Sequence, residues 1–213
     1  TAFLATRFRS ADEELGRPHH LDRTVLAVPA LALDALAREV RRLGELALSI
    51  VRAAVEETGT PGPARARDRQ AAAQLNAAIA GFIAQLNRSG MAPESAARLT
   101  DLLRLARYYE TAAEMAVESS EAMAEAGGAM NRDAPVARFR ECASALLGTL
   151  EPGSPAAADR EAAFDAMQDA YQAVKACYLD AGARGHVPVT VMDACLRAAS
   201  ALRRALEQTV KAS

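Results

Sequence analysis

Apolar residues recur along this chain at steps of three and four, the period that lays them on one face of an α-helix. Leu36, Val40, Leu43, Ala47, Ile50 and Ala54 form such a seam and predict a first long helix from about Thr24 to Glu57. Pro29 falls near its start, where a proline is tolerated or makes a kink. Gly59, Pro61, Gly62 and Pro63 close it. Leu75, Ile79, Phe82 and Leu86 mark a second helix from about Asp68 to Arg88, ended by the turn Ser89-Gly90-Met91-Ala92-Pro93. A third, from about Pro93 to Ala126, stops at Gly127-Gly128. Leu99, Leu103 and Val117 are expected to join the first two helices' apolar faces in one core.

Three more helices are expected: Ala134 to Leu150, Ala156 to Ala183 (with Phe164, Met167, Tyr171, Val174 and Tyr178 on one line) and Pro188 to Lys211. No segment alternates as a strand would. The halves resemble one another weakly: Gly90-x-x-Pro93 recurs as Gly185-x-x-Pro188. Arg104, Ala106 and Glu114 match Arg197, Ala199 and Glu207 after a two-residue gap. The expected organisation is all-α, two antiparallel three-helix bundles side by side. Residues 1–23 form a lead-in, 24–128 the first repeat and 129–213 the second.

The third helix carries a row of acids. Glu110, Glu114, Glu118, Glu121 and Glu125 follow at spacings of four, four, three and four, which stack side chains on one helical face. A solvated face tolerates such a row, and so does a face that collects cations. Glu110 also lies on the apolar line of Leu99, Leu103, Ala106, Ala113 and Val117, where a carboxylate needs a partner. Hard divalent cations or iron accept carboxylate oxygens, but a good site needs several ligands. A salt bridge or water is the competing reading.

Composition narrows the function classes. The 213 residues can bury a real core. Abundant alanine, few aromatics and no Trp favour helix over sheet. The net charge of -2 gives no pull toward nucleic acid or anionic membrane. Cys142, Cys177 and Cys195 are widely spaced and odd in number, and read as buried or idle thiols. Residues 1–10 lack the apolar stretch of a signal peptide. The longest uncharged run, Gln70 to Asn87, is too short and too polar for the roughly 20 apolar residues of a membrane span. A first residue Thr fits a piece of a longer protein.

No phosphate-cradling glycine loop and no nucleophile motif is present, and His19, His20 and His186 form no Glu-x-x-His pair. The expectation is a chain that is not an enzyme. Arg38, Arg41, Arg42 and Arg52 stand among Glu39, Glu45 and Glu56 on the first helix and read as a mixed-charge solvated face.

Three stretches resemble the PhoU family of phosphate-signalling proteins, and specifically the PhoU-like cytoplasmic domain that follows the membrane part of bacterial sodium-dependent phosphate cotransporters. His20-Leu21-Asp22 with Val28-Pro29-Ala30-Leu31-Ala32 resembles that family's entry into helix one. Ala106 through Glu114 occupies the place of its E-x-x-x-D signature, read here as Glu110-x-x-x-Glu114. Tyr171 through Lys175, Leu202-Arg203-Arg204 and Glu207-Gln208 resemble its C-terminal end. The resemblance implies a regulator of phosphate uptake or signalling, working through helix-face contacts at the cytoplasmic face of the inner membrane. Its partner would be the membrane part of a phosphate cotransporter, a phosphate-signalling protein or a second copy of the chain (a homodimer), and no nucleic acid. It also implies metal at Glu110 and Glu114, with Glu207 from the second repeat. Arg203 stands where that repeat's first acid should be, which departs from the family's paired metal motifs. The alternatives are a free-standing PhoU-type signalling protein, a metal-binding helical bundle and a plain helical scaffold.

Overall fold

The computed structural model describes residues 15–56, 63–86, 92–127, 133–151 and 153–213. They form an all-α protein with six long helices among the described residues. These are α1 (Pro29–Glu56), α2 (Pro63–Leu86), α3 (Pro93–Glu125), α4 (Ala134–Thr149), α5 (Arg160–Ala183) and α6 (Val189–Ala212). Two short 3-10 turns, Arg23–Ala27 and Pro155–Asp159, precede α1 and α5.

Proline and glycine set the helix ends. Pro29 opens α1 and makes no kink, because the first helical residue has no intrahelical use for its N–H. The same logic puts Pro93 at the head of α3. Asp22 caps the first 3-10 turn, its Oδ1 accepting from Thr24 N at 2.9 Å. That bond is the main reason its carboxyl titrates below the usual range. After α3 the chain turns through Gly127 at φ 63, a left-handed geometry that costs glycine least. Gly185, at φ 70, does the same between α5 and α6. Gly59, Pro61, Gly62, Ser89 to Met91 and Gly128 lie outside the described residues.

By contact the chain divides into two compact units, 1–48 with 63–111 and 49–62 with 112–213. Both bounds fall inside α1 and α3, so each of these helices gives residues to both units. The division follows contact, whereas the sequence repeats follow internal similarity.

In the first unit Leu33, Leu36, Val40, Leu43, Leu75, Ile79, Phe82 and Leu99 are buried. Tyr109 lies directly against the α1 backbone at Gly44, where an added Cβ would come within 2.6 Å of the ring. Two expectations need correction. Leu103 is 42% exposed, and the buried stripe of α3 instead runs Leu99, Leu102, Ala106. The spacing selected Leu103, four residues after Leu99, but packing buries its neighbour Leu102 instead. Val117 is only half-buried and belongs to the second unit.

The second unit stacks α4 on α5 and α5 on α6. Val136, Phe139, Leu146 and Leu147 of α4, Met167 and Val174 of α5, and Leu202 and Leu206 of α6 are buried. Phe164 and Tyr171, placed on the inward line of α5 by spacing, are half-buried. Small residues dominate the inner face of α6, with Ala194, Ala198, Ala199, Ala201 and Ala205 all buried. Cys142 and Cys195 are buried and Cys177 half-buried, all three as free thiols.

Candidate functional site

The acidic row of α3 is mostly solvated. Glu114, Glu118 and Glu121 are exposed, and Glu125 pairs with Arg197 Nη2 at 2.5 Å. Arg197 also binds Asp193, one turn earlier on α6, at 3.0 Å. Glu110 differs. It is half-buried in the first unit, and its two oxygens accept from Asn76 Nδ2 on α2 and from Arg107 Nη1 at 2.7 Å. The edge-of-core position inferred from its apolar neighbours is therefore met by an amide and a guanidinium.

Glu207 repeats that chemistry in the second unit. Its carboxylate accepts from Gln168 Nε2 on α5 at 2.9 Å and pairs with Arg203 on its own helix. Arg203, which replaces the expected acid, also lies over the Tyr171 ring at 5.0 Å. Tyr171 in turn meets Phe139 of α4 at a centroid distance of 6.1 Å. In both units, then, an acid takes an amide from the preceding helix and an arginine from its own. The sequence signal was an acid on the last helix with an arginine three or four residues before it. The amide donors Asn76 and Gln168 went unnoticed because a single Asn or Gln on a helix carries no pattern.

Among the described residues, no three His, Cys, Asp or Glu side chains gather closely enough to hold a metal ion. Both oxygens of Glu110, and Oε1 of Glu207, already have protein donors within their own units.

The most enclosed acid in the described chain is one that the helical pattern did not single out. Glu39 of α1 is completely buried. Its Oε2 accepts from the backbone N–H of His19 at 2.9 Å and of His20 at 2.7 Å. Its Oε1 accepts from Arg42 Nη1 at 2.8 Å. Arg42 also donates to the carbonyls of Arg17 at 2.6 Å and Leu15 at 2.5 Å. The reading of Arg42 and Glu39 as a solvated face is thus corrected: together they grip the main chain of residues 15–20. A clue was present, since Glu39 sits three residues after Leu36 and four before Leu43, on the inward seam.

In the second unit the Tyr178 hydroxyl donates to Asp133 Oδ2 at 2.6 Å. Asp133 precedes α4 but makes no side-chain cap there. Burial first, then this bond, pushes the Tyr178 phenol well above its ordinary range. Burial likewise pushes the neighbouring Cys195 thiol up to about 11. A thiol held protonated is a poor nucleophile. His186, in the turn before α6, is exposed.

No family model, curated protein or solved structure matches this chain. No described helix is long and apolar enough to cross a membrane.

Proposed function

We propose that this chain is a regulatory, non-catalytic helical domain of PhoU type, controlling phosphate uptake or signalling by helix-face contact. Its partner is the membrane part of a sodium-dependent phosphate cotransporter at the cytoplasmic face, met within one longer protein or between subunits. The observation that carries the reading is α3. It is a continuous helix from Pro93 to Glu125 that bears the Ala106–Glu114 signature stretch and leaves Glu114, Glu118 and Glu121 in solvent. A long exposed face suits recognition of another helix or a basic loop. The non-catalytic part of the reading rests on the sequence, which carries neither a phosphate-cradling glycine loop nor a nucleophile motif. The resemblance of residues 20–32, 106–114 and 171–208 to the PhoU family supplies the phosphate connection.

The test is sodium-dependent phosphate uptake by cells carrying the transporter with and without this domain, at scarce and abundant phosphate. Uptake or its regulation should change while membrane insertion does not. Identical uptake under both conditions would remove the reading and bring passive scaffolding forward.

A further inference from the structure

The contacts of residues 15–20 have an unusual balance. Of this segment only Gly16 is buried, while Leu15 is 40% exposed and Arg17, His19 and His20 face solvent. The apolar area its docking covers is confined to Gly16 and to parts of Leu15 and Pro18. The described polar contacts read its main chain: two N–H groups on the Glu39 carboxylate and two carbonyls on the Arg42 guanidinium. Gly16 lies so close to α2 that a Cβ there would run into the Gln74 side-chain oxygen and reach 3.1 Å from Ala71 Cα. The segment thus straps α1 to α2.

We infer that Leu15–His20 is a releasable strap, latched by Glu39 and Arg42, whose departure uncovers that ion pair without unfolding the helices beneath it. The physical ground is compensation. With the strap in place, Glu39 is a carboxylate wholly removed from water, an arrangement in which the desolvation penalty nearly cancels the attraction to its partners. When the strap leaves, water reaches both charges and replaces the hydrogen bonds they lose. An apolar strap has no such compensation, so this one opens at lower cost than the core. The inference does not depend on the transport reading.

The test is hydrogen exchange on the full chain, following the His19 and His20 amides against those of Leu36 to Leu43 in α1. In the unaltered protein the strap amides should exchange at least about tenfold slower than an unstructured segment and at least about tenfold faster than the α1 amides. Glu39→Gln should cost the strap amides about tenfold of their protection or more, with α1 and α4 to α6 holding theirs. Should Glu39→Gln fail to fold, Gly16→Leu, whose side chain has no room against the Ala71 backbone, displaces the strap while leaving the latch residues intact, and the same pattern is expected. Strap amides as fast as free peptide in the unaltered protein, or opening only together with α1, would overturn the inference. So would full protection of the strap in a folded Glu39→Gln protein.

Discussion

The two units solve one problem with different thoroughness. Each sets a carboxylate at the rim of its core and satisfies it with an amide from a neighbouring helix and an arginine from its own. In the first unit the arginine is loose: the Arg107 side chain is 68% exposed and holds Glu110 from the solvent side. In the second, Arg203 is 23% exposed and spread over Tyr171, which leans on Phe139. The buried phenols differ in the same direction. Tyr109, in the first unit, is raised by burial but eased by the positive charge of Arg41. Tyr178, in the second, is raised by burial and raised again by the acid it bonds. At these matched positions the second unit encloses its groups more fully, while the fully buried Glu39 lies in the first unit, and enclosed groups respond most strongly when their charge or partner changes.

The largest expected effect of that difference appears at alkaline pH. Phenols and thiols are neutral when protonated, and burial raises the folded-state values of Tyr178 and Cys195 above their ordinary ones. Stability from these groups is then fully present below the ordinary values and lost as pH rises, because the unfolded chain gives up the protons first. For Cys195 the loss should run from about pH 9, its ordinary value, to about 11. For Tyr178 it begins near 10 and continues upward. Denaturant midpoints measured from pH 7 to 11 should fall steeply in the unaltered protein, less steeply in Tyr178→Phe and least in Cys195→Ala, because the Cys195 loss lies wholly inside that range and the Tyr178 loss only begins there. Tyr109→Phe should flatten the slope less than Tyr178→Phe does. Parallel curves for all four proteins would erase the contrast between the units.

A smaller effect should separate the two arginines. Arg203→Ala removes a cation–π contact and one donor to a half-buried acid, and should cost about 1–3 kcal/mol. Arg107→Ala removes a solvent-side donor to the half-buried Glu110, with no stacked ring behind it, and should cost about 0.2–1 kcal/mol. Arg203→Lys keeps the charge but loses the flat stack on Tyr171, so it should recover only part of the loss. Urea unfolding of the three variants decides this. Equal costs for Arg203→Ala and Arg107→Ala would mean that enclosure adds nothing.

Much of the fold was legible because helices advertise themselves locally. Seams at three and four residues marked four of the six helices, and Pro93 and Gly127-Gly128 bounded the third, whereas the first, expected from about Thr24, begins at Pro29. What was hidden has one physical cause: a partner far away in sequence. Glu39 and Arg42 are three apart and look like an ordinary surface pair. Their other partners are main-chain atoms of residues 15 to 20, which no side-chain pattern encodes. Leu102 and Leu103 are chemically identical, and only packing selects the first. At the candidate site, the arginine at 203 was visible, but its stack on Tyr171 needed the neighbouring helix.

The smallest effect tests the acidic row itself, the feature on which the proposed function leans. Glu118 stands four residues from Glu114 and three from Glu121, all exposed on α3. Like-charged neighbours at these spacings cost about 0.2–0.5 kcal/mol each in water. Glu118→Gln should therefore stabilise the isolated chain by a few tenths to about 1 kcal/mol at low salt. The gain should vanish near 1 M salt, where the screening length falls to about 3 Å. A row kept against its own repulsion gains most when a cationic surface lies across from it, so the same substitution should weaken binding to a basic partner. Stability that drops in Glu118→Gln would mean that the acid already has a favourable partner within this chain. The row would then be part of the fold's own electrostatics and not a face held open for another protein.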